Sequence, residues 1–188
     1  MAGTATKVII CNMAIHLLGA KRISALTDGT EEAQILTDVY DYILDEVLAA
    51  HPWNFAIKRD TLAELATEPE YEFENMFQLP NDCLRVIRME DDDAVFSIES
   101  DALLTDEGEA KIKYIARITD TSKYSPHFVT TLAARLASEI AFPLTNSTSL
   151  AEAMFKMYQE KVKTASSCDG QEGTADKVDE TSWIDDRE

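Results

Sequence analysis

The chain has 188 residues and a formal net charge of -18, with 35 Asp and Glu against 17 Lys and Arg. This length suits one domain, or one domain with an insertion, and 45% hydrophobic residues are enough to fill a core. The charge argues against a surface built to grip phosphates, which would need a stripe of lysine and arginine. The acidity serves either solubility or a duct through which DNA slides without being held.

The sequence also bears on location and redox state. No stretch reaches the roughly 18 apolar residues of a membrane span, and the N-terminal residues lack the pattern of a signal peptide. We therefore expect a protein made in the cytoplasm, without membrane association. Cys11, Cys83 and Cys168 are far apart and form neither a CxxC pair nor an even set, so we expect reduced thiols.

Apolar periodicity predicts two helices in the first 52 residues. Residues 5 to 19 have apolar positions three and four apart and end at Gly19, a residue typical of a helix C-terminus. Thr30 is the expected N-cap of a second, amphipathic helix, and Pro52 marks its end. The apolar face of that helix consists of Ala33, Leu36, Tyr40, Ile43, Val47 and Ala50.

Between about residues 55 and 118 the pattern changes to short alternating segments, which predict strands. The expected strands are 57 to 65, 72 to 79, 84 to 90, 95 to 100 and 111 to 118. A loop at 105 to 109 containing Gly108 is expected to join the last two as a hairpin. The acidic run 90 to 93 lacks the ligand spacing of an EF-hand loop, so we interpret it as a solvated turn. These strands predict a meander or small sandwich.

Helical periodicity resumes at Ser125, a capping residue followed by proline. Pro143 is expected to end this third helix, and Ser149 with Glu152 fits a capping box for a fourth. Beyond about Thr164 the composition predicts disorder in the isolated chain. Trp183 and Ile184 are an exception there, and we interpret them as a short anchor that orders on binding.

These elements predict an α+β, mainly α fold: an antiparallel bundle of about four helices with an inserted small antiparallel β region and an extended C-terminal arm. The helical part comprises residues 1–54 and 119–166, the β-rich insertion 55–118, and the acidic arm 167–188.

The sequence contains no motif that points to catalysis. GxSxG, HExxH, P-loop and GxGxxG patterns are missing, and His16, His51 and His127 do not have metal-ligand spacing. With so many carboxylates, no pair stands out as acid and base. We therefore expect no enzyme activity and no catalytic, cofactor-binding or metal-binding residue.

An ordered set of residues carries a resemblance to a known family. It includes Asn12, Gly19, Ile23, Leu26, Glu32, Ala33 and Tyr40, then Pro52, Trp53, Asn54 and Phe55, then Leu79, Pro80, Asp82, Cys83, Leu84 and Arg85, and finally Lys113, Tyr114 and the helix from Phe128 to Leu144. From about residue 8 to residue 187, the chain resembles the tail tubular protein A family of short-tailed bacteriophages and related head-tail connector adaptors. The blocks PWNFA and LPxDCLRV are its specific parts.

The resemblance implies a structural virion protein, present in the host cytoplasm before assembly. Twelve copies would form a ring between the portal protein and the tail nozzle protein, with DNA passing through the lumen without specific binding. No catalytic residue comes with the resemblance. The ending with Trp183, Ile184 and Arg187 is similar to that of relatives whose arm reaches into the portal. Relatives often have an arginine midway along the second helix, which residues 43 to 46 lack here.

Physical reasoning on the two blocks predicts packing roles. Trp53 and Phe55, directly after the helix-ending Pro52, are expected to join the helical and β regions, with Asn54 between them. Pro80 predicts a turn that directs the strand containing Leu84.

Two other functions remain open: a virion-associated, muramidase-like protein that degrades peptidoglycan, and a generic acidic interaction module. If the chain forms a ring, we expect carboxylates from segments 64 to 74 or 90 to 109 to line its lumen.

Overall fold

The computed structural model describes residues 5–172, which form four helices and seven strands. The helices are α1 (Lys7–Leu17), α2 (Glu31–Ala50), α3 (Pro126–Thr145) and α4 (Thr148–Gln171). The strands are β1 (Ile57–Thr61), β2 (Ala63–Glu64), β3 (Asn75–Gln78), β4 (Cys83–Met89), β5 (Phe96–Glu99), β6 (Ala102–Thr105) and β7 (Lys111–Ala116). None of the described helices has the length and hydropathy needed to cross a membrane.

The first two helices confirm the sequence prediction. The hydroxyl of Thr30 accepts the backbone N–H of Ala33 and caps α2. Gly19 follows α1 with a left-handed φ of 68°, a conformation that a side chain would strain. Helix α2 ends at Ala50 because His51 precedes Pro52, and a residue before a proline rarely adopts helical backbone angles.

The third and fourth helices correct three predictions. Pro143 lies inside α3, which continues to Thr145 and ends at Asn146 with a left-handed φ of 52°. The N-cap of α4 is Ser147, whose hydroxyl accepts the N–H of Leu150, rather than Ser149. Helix α4 also continues past Thr164, so the predicted disorder is wrong for residues 165–171.

The strands form two antiparallel sheets instead of one meander. Sheet A has the order β1-β7-β4, and sheet B has the order β2-β3-β6-β5. The predicted hairpin between residues 95–100 and 111–118 is wrong, because the first of these segments pairs with the unpredicted strand β6. The chain turns at Ser100, where φ is +56°, and the segment containing Gly108 passes from sheet B to sheet A.

The predicted helical bundle with an inserted β region is also wrong. About 48% of the described residues are helical and 19% are in strands, an α+β fold rather than a clean bundle. Helix α3 contacts the other three helices, but α2 also packs against β4 and β7. One continuous hydrophobic cluster includes buried residues of the helices and of both sheets. The apolar face of α2 therefore covers a sheet as well as a helix, which periodicity alone does not reveal.

A buried polar contact fixes the connection after α1. The side chain of Asn12 is 7% exposed, and its amide donates to the carbonyl of Ile23 while its oxygen accepts the N–H of Ile23, both at 2.9 Å. A side-chain amide paired in this way satisfies both backbone groups of a buried loop residue. This pairing gives a structural role to two residues of the ordered set.

We predict that Asn12→Ala lowers the free energy of unfolding by about 1–3 kcal/mol, since it leaves the N–H and C=O of Ile23 without their partner. Urea denaturation followed by circular dichroism measures the change. Gln34→Ala is the control, because its exposed side chain makes only a 3.3 Å surface bond to Gly29 and should change stability by less than about 0.5 kcal/mol. Equal effects in both variants would contradict the role of Asn12.

Candidate functional site

The block PWNFA forms a joint at which three helices meet sheet A. Trp53 is fully buried, and its indole N–H donates to the carbonyl of Val47 at 2.9 Å. That carbonyl belongs to the last turn of α2, where backbone acceptors have no partner within the helix. A single bond therefore satisfies both the tryptophan and the helix end. Residues Asn54–Ala56 then form a short 3-10 turn that leads directly into β1.

Asp169 of α4 holds this joint from the opposite side. Its side chain is 8% exposed, and its two carboxylate oxygens accept the backbone N–H of Asn54 at 3.0 and 3.3 Å. The side-chain amide of Asn54 donates to the backbone carbonyl of Asp169 at 2.7 Å. His51 Nε2 lies 3.3 Å from the same carboxylate. This contact explains why α4 continues so far along an otherwise polar sequence.

An aromatic cluster fills the interior of the joint. The ring centroids of Trp53 and Phe128 are 5.1 Å apart, and those of Phe55 and Phe128 are 4.9 Å apart, both close to perpendicular. The ring centroid of Tyr124 lies 4.8 Å from that of Phe128 in an edge-to-face arrangement, and the hydroxyl of Tyr124 donates to the carbonyl of Ile118 at 2.6 Å. Burial raises the pKa of Tyr124 to about 12. Edge-to-face pairs of this kind add stability beyond the area they bury.

The second block, residues 79–85, anchors the start of β4. The N–H of Cys83 donates to the carbonyl of Pro80 at 2.9 Å, which forms the turn expected from the proline. The carbonyl of Asp82 accepts the N–H of Arg117 at 2.7 Å. The N–H of Leu79 donates to the backbone carbonyl of Asp101 at 2.9 Å, so the block also contacts the turn between β5 and β6 of sheet B.

The Asp82 carboxylate connects the three strands of sheet A. It pairs with Lys58 of β1 and accepts the hydroxyl of Tyr114 of β7 at 3.2 Å. Burial raises the pKa of Asp82, but the hydrogen bond and charge of Lys58, together with the hydrogen bond from Tyr114 and a backbone hydrogen bond, bring it below its ordinary 3.8. Burial and the nearby Asp82 charge raise the pKa of Tyr114 to about 12.

Two arginines that the sequence analysis missed connect α2 to its neighbours. Arg117, just after β7, donates to Asp45 at 2.6 Å and lies 3.7 Å from Asp41. Arg135 of α3 pairs with Glu46 at 2.9 Å. In these pairs α2 supplies the carboxylates and other elements supply the cations. Only residues distant in sequence make these pairs, so no local pattern predicted them.

The two sheets carry opposite charge. Sheet B and its connections lie within residues 60–84 and 89–110, and these ranges contain no lysine or arginine. They include both segments expected to line a lumen, and the structure brings those segments together, because Glu74 donates its N–H to Asp106 at 3.0 Å. Six cations lie in the strands of sheet A: Lys58, Arg59, Arg85, Arg88, Lys111 and Lys113.

The remaining predictions concern the portal-docking residues, metal binding and the cysteines. Trp183, Ile184 and Arg187, the expected portal-docking residues, lie outside the described residues. Within residues 5–172, no group of three or more His, Cys, Asp or Glu side chains is arranged to hold a metal ion. All three cysteines are free thiols, and Cys11 is fully buried. The sites that the structure does define are therefore the joint and the two charged sheets.

Comparison with known proteins adds no assignment. Neither the models of known protein families nor the curated protein sequences give a match to this chain.

We predict that Asp169→Ala lowers the free energy of unfolding by about 2–4 kcal/mol. The substitution leaves the partly buried N–H of Asn54 and the side chain of His51 without their carboxylate acceptor. Thermal and urea denaturation measure the loss. Glu160→Ala is the matched control, since Glu160 is an exposed acid on the same helix and should have little effect. If the two variants were equally stable, Asp169 would not secure the joint.

A second prediction concerns pH. A carboxyl whose pKa is lower in the folded state stabilises the fold above its unfolded pKa, and this contribution is lost as pH falls through the folded value. Lys58→Met removes the partner that lowers the pKa of Asp82, so at pH 7 the variant should be less stable than wild type by at most about 1 kcal/mol. The difference should shrink as pH falls below 3.8 and through the lower folded pKa of Asp82, because protonation of the carboxyl removes its attraction to Lys58. Urea denaturation across this range tests it; a difference independent of pH would contradict the pairing.

Proposed function

We propose that the chain is a non-enzymatic adaptor of a bacteriophage head-tail connector, which forms a ring in the virion between the portal protein and the tail nozzle. The observation that best supports the proposal is the cation-free sheet B. Its strands bring together the two acidic segments that the sequence analysis associated with a DNA duct. A surface without lysine or arginine repels phosphates evenly and offers none of them a binding partner.

The joint at Trp53 supports the same proposal in a second way. A ring that transmits DNA needs subunits in which helices and sheets keep a fixed relation. Trp53, Asp169 and the aromatic cluster link α2, α3 and α4 to the start of β1 through buried contacts. Packed interiors of this kind deform little, so the joint provides a rigid subunit.

The proposal also assigns a role to the C-terminal residues that the sequence analysis selected. Trp183 and Ile184 would insert into the portal as apolar anchors, with Arg187 pairing with a carboxylate beside them. Aromatic and arginine side chains are those that most often dominate binding energy at interfaces.

We predict that a chain ending at Glu172 folds with unchanged thermal stability but no longer binds the cognate portal. Truncation at this position spares Asp169, so the joint remains intact and a loss of binding can be ascribed to the removed residues. Electron microscopy of mixtures with portal, together with thermal denaturation, measures both properties. Rings of normal appearance on the portal would contradict the proposed arm.

A point variant sharpens this test. Trp183→Ala should weaken portal binding at least about tenfold, whereas Asp176→Asn, a matched change in the same segment, should leave it unchanged. Wild-type protein that never forms a ring with the portal would refute the connector proposal itself.

A further inference from the structure

The outward surface of sheet A carries a row of like charges that the fold does not need. In the register of the sheet, Arg59 of β1 lies opposite Lys113 of β7, and Lys113 lies opposite Arg88 of β4. Residues directly opposite each other point to the same face, and like charges in such positions destabilise a sheet. Lys111 projects from the same side of β7 as Lys113. We call Arg59, Arg88, Lys111 and Lys113 the basic face.

Internal carboxylates neutralise only half of the basic face. Lys111 lies 3.2 Å from Glu90 and 3.1 Å from Glu109, and Arg88 pairs with Asp92. Within residues 5–172, no carboxylate oxygen lies within 4.0 Å of the charged groups of Arg59 or Lys113. Arg59 and Lys113 lie directly opposite each other beside two further cations, and such a concentration of positive charge in a chain with twice as many acids as bases favours binding of an external anion.

The basic face also has a shape that suits a bound segment. It borders a groove of about 490 Å³ whose walls come from β1, β4 and β7 and the residue after β4. No residue of the connection between β2 and β3 lines this groove, so that acidic connection does not fill it within one copy.

The best complement in the described chain is residues 64–74, which comprise the last residue of β2 and that same connection and which we call the acidic loop. Its five glutamates are all exposed, and none of them is within ion-pair distance of a described cation. They are Glu64, Glu68, Glu70, Glu72 and Glu74. Three acids of α2, by contrast, already pair with Lys7, Arg117 and Arg135; they are Asp41, Asp45 and Glu46. Tyr71, at 75% exposure, adds an aromatic side chain of the kind enriched at interfaces.

We propose that the basic face binds the acidic loop of a neighbouring copy of this chain. The contact joins two different surfaces, so it is heterologous, and repeating it generates a closed ring when the rotation closes. The inference rests on the proposed connector function and deepens it. Segment 64–74 then lies between subunits, which leaves residues 90–109 to line the lumen.

The opposite charges allow a test by exchange. The face variant Arg59→Glu with Lys113→Glu presents acids on both surfaces, and the loop variant Glu68→Lys with Glu70→Lys presents cations on both. We expect each variant alone, as full-length protein with or without portal, to lose ring formation. Mixed together, the two should form rings of alternating copies, because each altered face then meets an altered loop and each natural face meets a natural loop. Light scattering after size exclusion and electron microscopy measure assembly.

Matched controls carry the same change in charge elsewhere. Lys21→Glu with Arg22→Glu, in the exposed connection after α1, and Glu152→Lys with Glu160→Lys, on exposed positions of α4, should assemble as wild type does. Circular dichroism and thermal denaturation establish that all four variants fold. None of the replaced side chains takes part in an ion pair among the described residues, so no such pair is lost.

Each outcome separates the inference from the function on which it rests. Wild-type rings together with unchanged rings of the face or loop variant would overturn the inference and leave the connector proposal standing. Failure of the mixture to assemble would also overturn it. DNA binding by wild type that is lost in the face variant, with rings intact, would assign the basic face to nucleic acid instead. Wild-type protein that never assembles with portal would refute the connector function.

Discussion

The contact between Trp53, the end of α2 and Asp169 is the constraint on which the rest of the structure depends. Pro52 stops α2, and the indole N–H of Trp53 returns to the last turn of that helix to occupy the carbonyl of Val47. The following N–H, that of Asn54, is partly buried, and Asp169 of α4 supplies its acceptor. A buried donor left unpaired costs about as much as the bond it lacks. Two satisfied donors in adjacent residues therefore fix the end of α2, the start of β1 and the end of α4 together.

Opposite charges at defined places on the surface follow from this rigid frame. Because β1 begins directly after the joint, the register of β1 with β7 places Arg59 beside Lys113. The same strand leads into β2, so the cation-free sheet B is held next to the basic sheet A by continuous chain. If the connection were flexible, the acidic and basic surfaces would have no fixed position relative to each other. The joint instead keeps the acidic and basic surfaces apart, which is the condition for a directional contact between copies.

The sequence predicted what depends on local chemistry and missed what depends on distant partners. Thr30, Gly19 and Pro52 act within one helical turn, so the ends of α1 and α2 were predicted correctly. The prediction that Pro143 ends α3 is wrong because a proline disturbs the hydrogen bonding of the turn that precedes it, and α3 continues for only two residues after Pro143. The end of α4 was missed because Asp169 looks like any acid in a polar segment until Asn54 is placed beside it. The predicted bundle is wrong for a related reason: an apolar helix face does not tell whether a helix or a sheet will cover it.

For the candidate site, the unusual composition of residues 52–55 was enough to predict their importance. The basic face could not be predicted in this way, because it depends on the pairing of β1, β7 and β4.

Net charge and charge pattern have different consequences for such a chain. A charge of -18 per copy opposes association in general, but at physiological ionic strength repulsion between exposed charges is largely screened beyond about 8 Å. What remains is decided by side chains that actually touch. An acidic protein can therefore assemble where several cations share one surface, because contact between two acidic surfaces is unfavourable. In this view the excess of carboxylates contributes selectivity: a second acidic copy is attracted to the face where four cations lie together, and the strands of sheet B carry no lysine or arginine that would hold a phosphate.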